Sequence, residues 1–140
     1  MRKSAFTLIE LLIVIAILGS LASVVVVRFR GAQTTALDTK RQAELKQYQN
    51  ALEIYATRTD RYPANINATA NTICGTLGIT SCPDDPKAAT GMHYVYISDA
   101  SGLNYVLYAT IERTTSYFVL CSNGKVGNVT SQPSTSTCPL

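Results

Sequence analysis

Phe6 to Val27, FTLIELLIVIAILGSLASVVVV, is the stretch that decides how this chain is built. Its 22 residues contain no proline, and their single ionisable side chain is Glu10. A helix here, rising about 1.5 Å per residue, spans roughly 33 Å, enough for a hydrocarbon layer of about 30 Å. Fifteen of the 22 residues are Leu, Ile, Val or Phe. At roughly −0.4 kcal/mol each they favour insertion by about 6 kcal/mol. One carboxylate costing roughly 3 kcal/mol does not reverse that sum. The run therefore predicts a helix that enters a membrane and carries its glutamate with it. An ionisable group at such a place usually has a partner of opposite charge, and no Lys or Arg lies inside the run. A new amino terminus made by a cut just before Phe6 would supply the missing cation.

Residues Lys3-Ser4-Ala5-Phe6-Thr7-Leu8-Ile9-Glu10, followed by LLIVIAIL, resemble the amino terminus of type IV pilins and pseudopilins. The resemblance implies a leader of residues 1–5 removed on the cytoplasmic side by a prepilin peptidase that cuts between Ala5 and Phe6. It implies N-methylation of Phe6, and pairing of Glu10 with the terminal amine of a neighbouring subunit, which sets the register of a filament. It further implies a homo-oligomeric helical filament, an inner-membrane assembly platform with its ATPase, and membrane lipid as the surroundings before assembly. Two positions depart from the family pattern. Ala5 stands where glycine is usual before the cut, and Val27 lies near where many members carry a proline.

A secretory signal peptide would use the same Arg2 and Lys3 and could be cut after Ser20-Leu21-Ala22. The apolar run is too long for that reading, carries Glu10, and continues through Val24 to Val27. Arg2 and Lys3 favour a cytoplasmic amino terminus, against Arg28 and Arg30 at the far end.

Beyond the anchor the chain suits one modest domain. Of the net charge of +3, two positives lie in residues 1–5, so the rest is nearly balanced, which argues against a nucleic-acid-binding surface. Cys74, Cys82, Cys121 and Cys138 all follow the anchor and allow three pairings. Disulfides suit a domain outside the cytoplasm, and proximity suggests Cys74–Cys82 and Cys121–Cys138. The second pair resembles the disulfide-bounded carboxy-terminal loop of pilins. With His93 the single histidine and no CxxC pair, no metal site is expected. Asp84 and Asp85, set before Pro86, read as a solvated turn rather than a calcium site.

Residues 28–59 hold dense helix formers, with Leu37, Leu45, Tyr48, Leu52 and Tyr55 on one arc. Lys40, Gln47, Asn50 and Glu53 fall away from that arc, as does Ile54. This helix continues the apolar one to about 50 residues and roughly 80 Å. Tyr62-Pro63 stops it. Residues 60–92 read as a connecting loop with a helical turn near Ile73 to Leu77. Within 93–129, the segments His93–Ser98, Tyr105–Glu112, Tyr117–Cys121 and Lys125–Val129 read as strands, with a turn at Ser122-Asn123-Gly124. Tyr105, Leu107, Ala109 and Ile111 form the face that covers the helix. The tail, 130–140, is Ser/Thr-rich and tied by Cys138. Asn67-Ala-Thr69 and Asn128-Val-Thr130 fit a short glycosylation pattern.

The expected fold class is α+β: a long amino-terminal helix, membrane-spanning over 6–27, packed through its second half on a three- to four-stranded antiparallel meander. Residues 28–140 form the extracytoplasmic head. No nucleotide loop, HExxH or Ser-His-Asp pattern is present, so no enzymatic activity and no cofactor are expected. The function read from these residues is a type IV pilus subunit, resident in the bacterial inner membrane as a precursor and on the cell surface once assembled. The alternatives are a pseudopilin of a type II secretion system and a single-pass membrane-anchored binding module.

Overall fold

The computed structural model describes residues 6–140, without the side chains of residues 24–28 and 30. The leader, Ala5 and the flanking charges Arg2, Lys3, Arg28 and Arg30 thus lie outside what is described. The chain divides into two compact units, Met1–Thr35 and Ala36–Leu140. Helix α1, Leu8–Thr59, crosses that division without a break over 52 residues. Among the described residues, the first buried side chain along α1 is Asp38.

In the second unit α1 presents the expected stripe. Leu45, Tyr48 and Leu52 are fully buried, while Leu37 and Tyr55 are half-buried. Lys40, Gln47, Asn50, Glu53 and Ile54 are exposed. The helix stops at Thr59, where Asp60 takes a left-handed φ of 60°. Thr59 Oγ1 donates back to the Tyr55 carbonyl at 2.9 Å, which satisfies one of the acceptors left at a helix end. The chain then turns into Tyr62-Pro63. Tyr62 N donates to Gly102 O at 2.8 Å, tying the end of the helix to the turn around Gly102.

The sheet has five strands: β1 Asn67–Thr69, β2 Val95–Ser98, β3 Tyr105–Ile111, β4 Ser116–Cys121 and β5 Val126–Val129. All neighbours are antiparallel, and the spatial order equals the sequence order. The additional strand is β1, drawn from the segment read as loop. Asn67-Ala-Thr carries no apolar alternation, and its strand character comes from pairing Asn67 with Ile97, Ala68 with Tyr96 and Thr69 with Val95. A three-residue strand with no periodic signal of its own is set by tertiary pairing. The loop also carries the short helix α2, Cys74–Leu77, which is the helical turn expected near Ile73 to Leu77.

Alternation along β3 separates two cores. Tyr105, Leu107, Ala109 and Ile111 join Leu45, Tyr48 and Leu52 of α1, together with Ile73, Tyr94, Tyr96 and Leu120. Val106 and Tyr108 face the other way and form a second cluster with Ile97, Val119 and Cys121, over which Cys138 and Leu140 of the tail pack. The tail is thus held against the sheet, and Gln132 Nε2 adds a bond to Tyr108 Oη at 2.8 Å. The tyrosines serve packing: Tyr62 meets Tyr105 edge-on at 4.6 Å and Tyr108 meets Tyr117 edge-on at 5.8 Å. Burial, with Asp84 and Glu44 nearby, pushes the Tyr48 phenol up to about 12.

Candidate functional site

The apolar end of α1 opens on a reciprocal cap. Thr7 precedes the first helical residue, and Glu10 lies three positions on. Thr7 N and Thr7 Oγ1 both donate to Glu10 Oε2, at 2.9 and 2.7 Å. Glu10 N donates in return to Thr7 Oγ1 at 3.4 Å. This is a capping box, in which two helix-end donors are satisfied by the residues that precede and complete the first turn. A Glu here also sits favourably at the positive end of the helix dipole. Glu10 is therefore not bare in the single chain: Thr7 occupies one of its oxygens. The spacing Thr-x-x-Glu before an apolar run is the signal that points to Thr7, a residue given no role in the sequence reading beyond its place in the motif.

Past this cap, apolar side chains are exposed all the way round the helix. Leu8 is 80% exposed, Ile15 60%, Leu18 59% and Leu21 59%. A helix that is apolar on every side is stable only when something apolar surrounds it, either lipid or other helices. Its two hydroxyls do not oppose that environment. Ser20 Oγ donates to Ile17 O at 2.8 Å and Ser23 Oγ to Ser20 O at 2.7 Å, so neither asks for water. Among the described residues, no helix is long and apolar enough to cross a membrane. The side chains described without a gap end at Ser23, and Val24 to Val27, which complete the span read from sequence, lie outside them.

In the head the charges converge on one buried cation. Arg41 is fully buried and projects from the same stripe of α1 as Leu37 and Leu45. Its Nη1 donates to Asp38 Oδ1 at 2.6 Å, its Nε to Asp85 Oδ2 at 2.7 Å, and its Nη2 to Asp85 Oδ1 at 3.1 Å and Glu112 Oε1 at 2.5 Å. Asp38 also accepts the backbone N–H groups of Glu112 and Arg113, at 3.2 and 3.1 Å. Helix, loop and sheet are thereby fastened at one point. Burial alone would lower the Arg41 guanidinium's affinity for its proton. Its bonds to Asp85, Glu112 and Asp38 outweigh this and leave it firmly charged. A hydrogen bond from Lys87 holds the Glu112 carboxyl below its ordinary range; burial opposes this, and the bond from Arg41 adds to it.

The reading of Asp84 and Asp85 as a solvated turn is corrected here. Asp85 is 4% exposed, and its two oxygens accept from Nε and Nη2 along one edge of the Arg41 guanidinium. Both carboxylate oxygens of Asp84 lie 3.1 Å from His93 Nδ1. Among the described residues no group of His, Cys, Asp and Glu could hold a metal ion. The structure joins Cys74 to Cys82 and Cys121 to Cys138, so both bridges close local loops, eight and 17 positions apart in sequence. Tyr48 Oη lies 3.3 Å from Cys74 Sγ and donates to Pro83 O at 2.7 Å, seating the first bridge on the helix.

Comparison with known proteins gives one match at the amino terminus. The family model described as the prokaryotic N-terminal methylation motif matches residues 1–26. The chain is 42% identical over 62 residues to the type II secretion system core protein G of Aeromonas hydrophila, covering 44% of this chain and 43% of that one. It is 38% identical over 63 residues to the core protein G of Pectobacterium carotovorum subsp. carotovorum, covering 45% and 40%. With that of Klebsiella pneumoniae it shares 40% over 62 residues, covering 44% of each chain. The matches span less than half the length of these relatives. No solved structure matches the chain significantly. The chain thus carries the prokaryotic N-terminal methylation motif at residues 1–26 and is similar, over less than half of its length, to type II secretion system core protein G.

Proposed function

We propose that this chain is a pseudopilin of a type II secretion system, a non-enzymatic structural subunit that polymerises through its amino-terminal helix. The similarity to type II secretion core protein G carries this reading, and moves it from the pilus subunit first read from sequence to the secretion alternative. In the proposed scheme residues 1–5 are a leader, 6–27 a membrane and filament-core helix, and 28–140 an extracytoplasmic head. Cleavage between Ala5 and Phe6 frees an ammonium, and Phe6 is then methylated. Lipid covers the apolar sleeve before assembly, and neighbouring helices cover it afterwards.

Glu10 is the residue proposed to set register. In the single chain Thr7 occupies one oxygen of its carboxylate. Thr7 donates to Glu10 from neutral groups, whereas a neighbour's amino terminus offers a full positive charge, whose attraction to the carboxylate is strongest where water is excluded. The filament state therefore gains from an exchange of partners. Prepilin peptidase, an assembly platform with its ATPase, and further copies of this chain are the partners in this scheme.

Two measurements test it. Mass spectrometry of the native protein is expected to find a chain that begins with methylated Phe6; one that begins at Met1 in assembled filaments overturns the processing scheme. In a strain lacking the native gene, Glu10→Leu is expected to insert in the membrane at normal levels and to abolish filament incorporation and secretion. Normal secretion by that variant overturns the register role. The pilus-subunit reading keeps one observation in its favour, the Cys121–Cys138 bridge around the carboxy-terminal loop. Surface filaments made mainly of this chain, with secretion intact in its absence, would restore it.

A further inference from the structure

We infer that Asn123 is a deamidation site held closed by the β4–β5 turn and opened when Cys121–Cys138 is lost. Of the asparagines in the chain, Asn123 alone is followed by glycine. In the reaction the Gly124 amide nitrogen, shedding its proton, attacks Asn123 Cγ. A carbon–nitrogen bond forms, the bond from Cγ to Nδ2 breaks, and ammonia leaves with the proton. Water then opens the resulting ring imide at either carbonyl, giving aspartate or isoaspartate. Glycine favours the attack because no Cβ crowds the nitrogen and the backbone rotates freely. Both residues are exposed, so water and base reach them.

The turn opposes each requirement of that attack. Gly124 N donates to Cys121 O at 3.0 Å, so the attacking nitrogen is engaged in a backbone bond. Asn123 Oδ1 accepts from Lys125 N at 3.0 Å, an Asx turn that directs the side-chain carbonyl past Gly124 instead of toward it. Gly124 sits at a left-handed φ of 80°, and Asn123 does not. This is the pattern of a three-residue hairpin loop with a glycine bulge, not of the Asn-Gly turn in which both residues are left-handed. Reaction therefore requires the loop to break its own bonds first, and its rate follows the population of the opened loop.

Cys121 is the residue that holds the loop shut. Its carbonyl takes the Gly124 amide, its amide donates to Lys125 O at 3.0 Å, and its sulfur is bridged to Cys138. The bridge pins the tail, whose Leu140 side chain lies against Gly127 of β5. Without it the tail is held only by noncovalent contacts, the packing of Leu140 and the bonds of Lys125 Nζ to Leu140 O and Gln132 Nε2 to Tyr108 Oη, and the loop that joins β5 to β4 opens more often. Each opening of the turn risks converting a neutral side chain beside Lys125 into an anion.

The test follows deamidation at pH 8 and 37 °C by peptide mass spectrometry, scoring the mass gain of about 1 Da and separating isoaspartate by chromatography. Full-length chain in detergent is compared oxidised and folded, oxidised in urea, and as the Cys121→Ser/Cys138→Ser variant. Asn123 is expected to react at least tenfold more slowly in the folded oxidised chain than in urea, with the paired-serine variant several-fold faster than the folded parent. Equal rates folded and in urea overturn the protection, and absence of reaction at Asn123 in urea overturns the site. A variant that keeps the parent's tyrosine circular dichroism and the parent's slow rate overturns the role of the bridge. Should the variant unfold, hydrogen exchange at the Gly124 amide of the parent, with and without mild reductant, is the deciding measurement. Faster exchange on reduction supports the coupling, and unchanged exchange overturns it.

Discussion

Arg41 sits four residues after Leu37 and four before Leu45, on the apolar stripe of α1, and is fully buried there. A charge at a stripe position is a sequence signal in itself, since buried charges occur only when paired. What the sequence does not disclose is the identity of the partners. Asp85 and Glu112 are distant in the chain and are brought to Arg41 only by the completed fold. Taking one member from such a group leaves buried charge uncompensated, a loss of about 3–5 kcal/mol. Arg41→Met is therefore expected to lower the head's unfolding free energy by that amount in urea titration. The same cluster makes stability sensitive to acid. Glu112 titrates below its ordinary 4.5 in the folded chain, so the stability it confers is complete above that value and drains away as pH falls through the lower, folded value. Urea midpoints are expected to hold steady down to about pH 5 and then to drop. Glu112→Gln should be weaker at neutral pH and show a shallower drop. Gly102 is a second position where one atom decides. At φ 68°, an added Cβ would lie 2.6 Å from Tyr62 O. Gly102→Ala is expected to cost at least about 1–2 kcal/mol, read as a lowered melting temperature, because the left-handed conformation and the contact both oppose it.

At the scale of elements, what was legible is what carries a period. The stripe Leu45, Tyr48 and Leu52, and the face Tyr105, Leu107, Ala109 and Ile111, were read from spacing alone and meet in one core. Strand β1 was not readable, because Asn67-Ala-Thr69 has neither apolar alternation nor length, and backbone pairing to β2 makes it a strand. The connecting segment is legible in its cysteines and helical turn but not in the burial of Asp85, since two adjacent acids before a proline say nothing of a cation on another element. Leu45 links the two readable patterns. Leu45→Ala is expected to cost about 2–5 kcal/mol, according to how far the surrounding tyrosines relax into the space. Removing the Cys121–Cys138 bridge, which closes a loop of 17 positions, is expected to cost about 3 kcal/mol by freeing the unfolded chain. Comparing urea unfolding of the paired-serine variant with the parent checks it.

For the molecule as a whole, the two units answer to different surroundings. The first half of α1 exposes apolar side chains on every side and closes its end with Thr7 and Glu10. The cap is implicit in the Thr-x-x-Glu spacing, whereas the filament partner proposed for Glu10 belongs to another molecule. The second unit carries its own core, bridges and charged cluster. If those suffice, a soluble version beginning at Ala36 should fold cooperatively in water, with both bridges formed on peptide mapping. A version that stays molten would assign part of the head's stability to the apolar helix.

Because every strand pairs with its nearest neighbour along the chain, no late segment must thread between two earlier ones. Such local connectivity favours rapid folding. A polypeptide delivered progressively through a translocation pore could zip its hairpins one after another as they emerge, each new strand finding its template already waiting at the growing edge. The last strand and the tail then clip on without disturbing what precedes them, so a head of this design has little need to wait for its final residue before most of it is sound.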